Sequence, residues 1–298
     1  MISKNLSIKR EKTKIFFIFL LSASFTVSLF SQTQETQTYN LVTNSNTFGI
    51  GSSFILDPYL SPFEYSGWHV EYQNEHQQYI SSKDTLFSIK NRFNFQLGEA
   101  KHPTRINSML FFNGNYDLGF HYHWRPVYNL TFQFGGSWDM DLGGKYISRN
   151  VNNPFSLDLY SNLNASASTN YKFRVNFFNW FSQNFRAEYG VRTPLLGVMF
   201  VPEQGVSYYE LFSLNNLKDA FHFSSIHNRR AILQYLNLDI PVRFTTFRIG
   251  FVQDFLQYKA NDIIFHKNNL SVQVGCVVDF YVFRGTKNKL PKNFRSTY

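Results

Sequence analysis

The sequence predicts an all-β protein: an antiparallel, up-and-down transmembrane β-barrel of about ten strands, with about 8 to 12 compatible with its pattern, and one long extracellular loop. Apolar and polar side chains alternate through stretches longer than ordinary strands, and aromatic residues make up 19% of the chain, with 34 Phe and 18 Tyr. Such an aromatic content is typical of the girdles of a membrane barrel. The mean hydropathy of -0.28 excludes a bundle of membrane helices but not a barrel, whose lumen-facing positions are polar.

The stretch from Met109 to Gly143 shows the alternation most clearly. Apolar residues occupy every second position from Leu110 to Trp124, polar residues fill the gaps, and the pattern resumes after Pro126. It predicts one hairpin with arms of about 13 to 17 residues, whereas soluble strands average about 5 to 6 and membrane strands need about 9 to 11. The apolar face is therefore expected to meet lipid, and the polar face a lumen.

Turn residues divide the chain into ten candidate strands. They cover residues 47–56, 64–80, 86–98, 108–125, 129–143, 156–176, 184–196, 231–241, 246–258 and 267–283. An even count places both ends of the barrel on one side, the periplasm. The longest connection, 197–230, then lies on the outer side.

The two ends of the chain carry its net charge of +9. Residues 1–31, with five basic residues, one acidic residue and an apolar core from Ile15 to Leu29, read as an export signal peptide. Residues 32–46 read as a periplasmic lead-in, 47–283 as the outer-membrane barrel, and 284–298 as a basic C-terminal tail. The barrel itself is neutral, so a nucleic-acid partner is not expected.

The polar faces place many charges in a narrow lumen, where each is expected to pair because an unpaired buried charge costs several kcal/mol. Such a lumen favours an occluded barrel of structural or binding type, with a narrow channel for a small ion or solute as the alternative. The predicted lumen charge network consists of Glu71, Lys90, Arg92, Asp117, His121, His123, Arg125, Asp139, Asp141, Asp158, Arg174, Arg186, Glu188, Arg192 and Arg248.

His121 and His123 share the inward face at a spacing that could present two imidazoles to one metal ion. A zinc site needs further ligands, and Glu71 or His69 is the nearest candidate by residue type. Two histidines in a polar barrel are more often hydrogen-bonding residues, so no metal and no cofactor is expected.

The long connection 197–230 is too apolar for a freely solvated loop. It is expected to fold over the barrel mouth as a lid that includes Phe200, Glu203, Tyr208, Tyr209 and Glu210. The same segment holds serines, histidines and acids, so an outer-membrane lipid or peptide hydrolase with its site in 197–230 is the alternative function. No motif fixes catalytic residues there, and a non-enzymatic role is favoured.

Four segments together resemble a family of exported proteins of unknown function found in Bacteroidetes. They are residues 61–68 (SPFEYSGW), 119–126 (GFHYHWRP), 149–154 (RNVNNP) and 194–210 (PLLGVMFVPEQGVSYYE). The resemblance covers nearly the whole mature chain and implies a barrel in a Gram-negative outer membrane, but no reaction and no catalytic residues.

The expected partners follow from this location. They are outer-membrane lipid and lipopolysaccharide around the barrel, and the outer-membrane insertion machinery. The last strand ends in the aromatic residues Phe280, Tyr281 and Phe283, which resemble the signal that this machinery recognises. A small solute or ion remains a further expected partner of the lumen.

Overall fold

The computed structural model of the protein describes residues 39–81, 85–149, 153–177, 181–213, 217–242 and 245–283. It confirms the predicted fold class, because ten long strands form a closed antiparallel barrel and one short strand is added to it. The strands are β1 (Tyr39–Leu56), β2 (Glu64–Tyr79), β3 (Phe87–Lys101), β4 (Ser108–Val127), β5 (Leu130–Tyr146), β6 (Phe155–Phe177), β7 (Phe181–Phe200), β8 (Phe221–Ser225), β9 (Arg229–Val242), β10 (Thr245–Ala260) and β11 (Ile263–Phe283). A helix α1 (Tyr208–Ser213) and a 3-10 helix (Leu217–Ala220) lie between β7 and β8.

Each long strand pairs with the next one along the chain, β7 pairs with β9, and β11 returns to β1. The closing pair runs from Tyr39 opposite Phe283 to Leu56 opposite His266. The short strand β8 pairs with the last residues of β7, Leu196 to Phe200. Within the described ranges, no helix is long and apolar enough to cross a membrane.

The two faces of the strands follow the predicted alternation. On β4, Leu110, Phe120 and Trp124 expose more than half of their surface, while His123 on the same strand is buried. On β5, Phe134 and Trp138 face outward and Gln133 and Asp139 face inward. Because successive side chains of a strand point to opposite faces, the sequence pattern settles which residues enter the lumen.

The first strand is longer than the sequence predicted. It begins at Tyr39, so residues 39–46, which the sequence assigned to a periplasmic lead-in, form the start of β1. Thr43 and Ser45 are buried inside the barrel, whereas Asn44 and Asn46 face outward and accept hydrogen bonds from Asn74 Nδ2 at 2.9 and 2.8 Å. Their outward amides break the apolar alternation on which the prediction relied.

The barrel has two ends that we name by their contents. The terminal end carries Tyr39 and Phe283, and the loop end carries the connections 57–63, 102–107, 147–154, 201–228 and 261–262. At the loop end many of the inward residues are apolar, and we call these apolar residues the apolar layer. Its buried members include Ile55, Tyr65, Ala100, Met109, Phe111, Ile147, Tyr160, Met199, Leu256, Tyr258, Ile263 and Phe265.

Candidate functional site

The lumen between the terminal end and the apolar layer is filled by charged and amide side chains. At its centre Glu75 accepts a hydrogen bond from Arg92 at 2.8 Å and lies 3.3 Å from Lys90 Nζ. Lys90 also reaches Glu188 at 3.4 Å, and Arg248 lies 3.8 Å from Glu188 and 3.7 Å from Glu75. We call these five residues the central ion layer.

The central ion layer spans the barrel rather than following its wall. Lys90 lies on β3 and Glu188 on β7, which are four places apart in the ring of ten strands. Arg248 on β10 and Glu75 on β2 are three places apart. Since these pairs join opposite walls, they occupy the cross-section through which a solute would have to pass.

Tyr235 and Asp239 of β9 complete this layer. The Tyr235 hydroxyl donates to Glu188 at 3.1 Å, and the guanidinium carbon of Arg92 lies 4.8 Å from the Tyr235 ring centroid. Asp239 accepts from Arg248 at 2.7 Å and also pairs with Arg186. The ring of Tyr235 fits against Gly190, where a β-carbon would lie 2.3 Å from the ring.

A second ion layer surrounds Arg192 on the side nearer the loop end. Arg192 pairs with Asp117, which also accepts a hydrogen bond from Ser137 at 2.6 Å. Arg192 Nη2 lies 3.8 Å from a carboxylate oxygen of Asp139. The Asp139 carboxylate also accepts a hydrogen bond from Asn162 Nδ2 at 2.7 Å. This layer joins β4, β5, β6 and β7 through the interior.

Glu71 is buried, and among the described residues no cation forms an ion pair with it. Its carboxylate accepts hydrogen bonds from Gln273 at 2.8 Å, Gln96 at 3.1 Å, Asn94 at 3.4 Å, and Ser271. Amide and hydroxyl donors therefore replace water around this charge, so its burial is compensated without a salt bridge.

Three ion pairs lie in the lumen toward the loop end. Lys145 lies 3.1 Å from Asp57 and 2.5 Å from Asp158, and Lys267 lies 2.8 Å from Asp254. Among these residues the lumen charge network predicted from the sequence includes Asp158 alone.

Several partners were missed for one of two reasons. Lys145 and Asp57 fall just outside the predicted ends of their strands, so their direction was not assigned. Glu75 and Asp239, however, lie at inward positions of predicted strands. The same alternation that placed Glu71 in the lumen also places these two residues there, so they could have been predicted from the sequence.

The remaining members of the predicted network lie apart from these layers. Arg125 lies near the terminal end and donates to the Tyr79 hydroxyl at 2.7 Å and to the Thr85 carbonyl at 2.9 Å. Arg174 is exposed on β6, and Asp141 faces a cavity described below.

The two central histidines do not meet the ligands that a metal site would need. His121 Nε2 lies 2.8 Å from Ser166 Oγ, and His123 Nε2 lies 2.8 Å from Ser88 Oγ. Glu71 is level with Asn113 of β4, eight residues from His121, or roughly 26 Å along the strand. In the described part of the chain, no group of three or more His, Cys, Asp and Glu is placed to hold a metal ion.

A cavity of about 70 Å³ separates the second ion layer from the apolar layer. Charged side chains from several strands line it, among them Asp141, Arg192, Arg229 and Lys267. Tyr160 and Leu256 of the apolar layer form its boundary toward the loop end.

Described segments of the long connection lie over the loop end, and we call residues 201–213 and 217–220 the cap. Phe200, Leu211 and Ala220 form a buried cluster against which Tyr208 packs. The backbone N–H of Val201 donates to Ala220 O at 2.7 Å, so the two ends of the cap lie side by side.

Tyr208 anchors the cap to the barrel. Its hydroxyl accepts the backbone N–H of Leu157 at 2.6 Å, and its ring lies 5.7 Å from that of Tyr59, whose hydroxyl donates to Val206 O at 2.8 Å. Burial raises the pKa of both tyrosine hydroxyls above the ordinary value, so they stay neutral.

The predicted lid residues divide between two faces of this segment. Phe200 and Tyr208 pack inward, whereas Glu203, Tyr209 and Glu210 face outward, with Tyr209 79% exposed. Ser207 Oγ accepts the backbone N–H of Glu210 at 3.2 Å, and the Glu210 carboxylate accepts the backbone N–H of Ser207 at 2.9 Å, as in a helix capping box.

The alternative hypothesis places a hydrolase site in residues 197–230. In the described part of this segment, each histidine contacts one oxygen-bearing group, and the contacts do not form a catalytic triad. Ser225 Oγ hydrogen-bonds His227, and His222 contacts the Val201 carbonyl at 3.3 Å. Within the described residues, no carboxylate forms a hydrogen bond or an ion pair with either histidine. The described geometry of this segment is that of a cap.

The sequence from residue 14 to residue 287 matches the family described as "Protein of unknown function (DUF3316)". The chain belongs to this family. The resemblance to a family of unknown function is thereby confirmed. No curated protein matches the sequence.

Solved structures similar in fold to this DUF3316 chain are outer-membrane barrels. One is the transport unit of the autotransporter AIDA-I from Escherichia coli, at 8% identity and a TM-score of 0.40, covering 85% of this chain and 94% of that chain. Another is the outer membrane protease OmpT from Escherichia coli, at 6% identity and a TM-score of 0.41, covering 84% and 100%. A third is the translocator domain of the autotransporter NalP from Neisseria meningitidis, at 8% identity and a TM-score of 0.32, covering 90% and 96%.

Proposed function

We propose that the protein is a bacterial outer-membrane β-barrel with a sealed lumen, and that its role is structural or ligand-binding rather than that of an open channel. The observation that carries this proposal is the central ion layer, whose pairs cross the lumen from β3 to β7 and from β2 to β10. The apolar layer and the cap add two further barriers at the loop end.

The outer surface supports a membrane location. Strands of 14 to 23 residues exceed the roughly 9 to 11 that a tilted membrane strand needs. Exposed apolar side chains occur on strands all around the barrel, for example Phe48 on β1, Phe95 on β3, Leu163 on β6 and Phe251 on β10. A soluble monomer rarely exposes a contiguous apolar patch larger than about 600 Å², whereas lipid and lipopolysaccharide would cover this one.

The proposed orientation places the terminal end in the periplasm and the cap outside the cell. The long last strand β11, which closes the barrel against β1, is the element that the insertion machinery would engage. The export signal of residues 1–31 and the basic tail of 284–298 are part of this proposal and lie outside the described residues.

Ion conductance tests the sealed lumen. We expect the full chain, refolded in detergent and added to a planar lipid bilayer, to give no steady current at either polarity. Reproducible single-channel steps from pure protein would contradict the proposal. A general diffusion porin measured in the same bilayers shows that insertion and recording work.

Surface labelling tests the location and the orientation. In a chain with Cys276→Ser, the change Tyr209→Cys places a thiol on the outer face of the cap, and Thr85→Cys places one near the terminal end. A membrane-impermeant maleimide added to whole cells should label the first and spare the second. Labelling of the Thr85→Cys variant alone would show the opposite orientation. Absence of the protein from the outer-membrane fraction of the cells would contradict the location.

A further inference from the structure

The cavity between the second ion layer and the apolar layer holds two charges that lack an ion partner. They are Arg229, at the start of β9, and Asp141, on β5, and both line the cavity. The two side chains carry opposite charges and come from different walls of the barrel.

Arg229 is a buried cation with unused hydrogen-bonding capacity. Its Nη1 donates to Asn162 Oδ1 at 2.7 Å, and its guanidinium carbon lies 4.2 Å from the Tyr160 ring centroid. Its Nε is buried and has no hydrogen-bond partner, and no described carboxylate lies within 4.0 Å of it. Because a guanidinium is always charged, this donor is suited to a carboxylate oxygen.

Asp141 is the complementary anion. It accepts one hydrogen bond, from Asn113 at 3.3 Å, and no described cation lies within 4.0 Å of its carboxylate. A carboxylate with free lone pairs that faces a cavity is suited to an ammonium group.

The other charges of the cavity wall are already engaged. Arg192 pairs with Asp117, and Lys267 pairs with Asp254 at 2.8 Å. Arg92 belongs to the central ion layer, where it binds Glu75. Glu71 also lines the cavity without an ion pair among the described residues, but its carboxylate accepts four hydrogen bonds. Arg229 and Asp141 are therefore the two charged groups of this wall that have neither a described ion partner nor a full set of hydrogen bonds.

The size of the cavity limits the ligand. Its volume is about 70 Å³, and one water molecule occupies about 10 to 15 Å³ on the same measure. The cavity thus has room for about five water molecules, which corresponds to a solute of five or six non-hydrogen atoms.

We propose that this cavity binds a small zwitterion of the size of glycine or alanine. The carboxylate of the ligand would accept hydrogen bonds from Nε of Arg229, and its ammonium group would donate to Asp141. A zwitterion satisfies both Arg229 and Asp141 and adds no net charge to the barrel interior, whereas a simple anion or cation would satisfy one and leave the other. This site goes beyond the sealed-lumen proposal and does not depend on whether the barrel conducts.

Equilibrium dialysis of the full chain in detergent with radiolabelled glycine and alanine tests the site. The solute is added both to folded protein and during refolding, so that the cap cannot hide the cavity. We expect saturable binding of one solute per chain that unlabelled glycine or alanine displaces. Acetate and methylammonium, which carry one charge each, should displace it at least tenfold less well.

Substitutions then assign the binding to the two residues. Arg229→Gln and Asp141→Asn should each weaken binding at least tenfold, and Arg229→Lys, which keeps the charge but loses the planar fork, should weaken it less. The matched controls are Arg230→Gln at the exposed neighbouring arginine and Asp262→Asn in the exposed turn, and both should bind as the unchanged chain does.

Three results would overturn the proposal. They are no saturable binding of glycine or alanine under either condition, equal binding by acetate alone, and unchanged affinity in both Arg229→Gln and Asp141→Asn. Folding of each variant is checked by the heat-dependent gel mobility of a barrel. If Arg229→Gln does not fold, Arg229→Lys and Asp141→Asn decide the outcome.

Discussion

At the scale of single residues, Arg248 is the side chain that contacts carboxylates from three different strands. Arg248 exposes 1% of its side chain and contacts Asp239, Glu75 and Glu188 within 4.0 Å. Three carboxylates from β9, β2 and β7 thus share one guanidinium. Removing one partner of a buried ion pair leaves an uncompensated charge, which costs more than the pair itself contributes.

The Arg248→Met variant should therefore destabilise the folded barrel by about 3 to 5 kcal/mol. The control is Arg230→Met, at an exposed arginine, where a surface change should stay within about 0.5 kcal/mol. Urea unfolding in lipid vesicles, followed by tryptophan fluorescence, measures both. Equal stability of the two variants would show that the central ion layer contributes nothing beyond filling space.

The outward residues allow a second test at the same scale. Phe251 lies mid-strand on β10 and is 45% exposed, so its ring is expected to meet the centre of the bilayer. Phe251→Arg should cost about 2 to 4 kcal/mol, whereas Phe212→Arg on the outer side of α1 should cost about 0 to 1 kcal/mol. The same unfolding assay compares them. A larger penalty at Phe212 would mean that the apolar belt is placed wrongly.

At the scale of elements, the cap is held by one of two adjacent tyrosines. Tyr208 contacts Tyr59, Phe155 and the Leu157 backbone, while Tyr209 is 79% exposed. A short helix such as α1 has little stability of its own, so its position depends on these contacts.

Tyr208→Ala should loosen the cap, and Tyr209→Ala should leave it unchanged. Limited proteolysis of the folded protein measures the difference, with cleavage within 201–220 expected to be at least tenfold faster in the first variant. The strands should stay resistant in both, because their hydrogen bonds are internal to the barrel. Equal cleavage rates would show that the cap is held by other contacts.

For the whole molecule, the sealed lumen that we propose depends on several barriers in series. The cap and apolar layer close the loop end, and the central ion layer closes the middle of the barrel. Opening any one of them leaves the others in place, so conductance should require changes in more than one.

We therefore expect no current when the cap residues 203–218 are replaced by a short Gly-Ser linker, which the adjacent positions of Val201 and Ala220 permit. The fourfold variant Glu75→Ala, Lys90→Ala, Arg92→Ala, Glu188→Ala removes two charges of each sign and should also stay closed beneath the cap. The two changes combined should still give no steady current in planar bilayers, because the apolar layer and the second ion layer remain in place. Full current from the linker variant alone would contradict the arrangement in series.

The sequence alone was sufficient for the architecture, and it also predicted a set of inward charges. Strand phase is local, because covalent geometry turns successive side chains to opposite faces, so Asp117, His121 and Asp139 could be assigned to the lumen from alternation. The start of β1 was missed because Asn44 and Asn46 are outward amides, and Lys145 was missed because it lies beyond the predicted end of its strand.

The tertiary structure alone decided which inward residues meet. Lys90 and Glu188 are 98 residues apart in sequence, and their contact depends on the number of strands and on the stagger with which the barrel closes. The same closure brings Arg229 and Asp141 to one cavity and turns Tyr208 inward and Tyr209 outward. These are relations between distant walls, and no local pattern encodes them because the shear of the barrel is a property of all ten strands together.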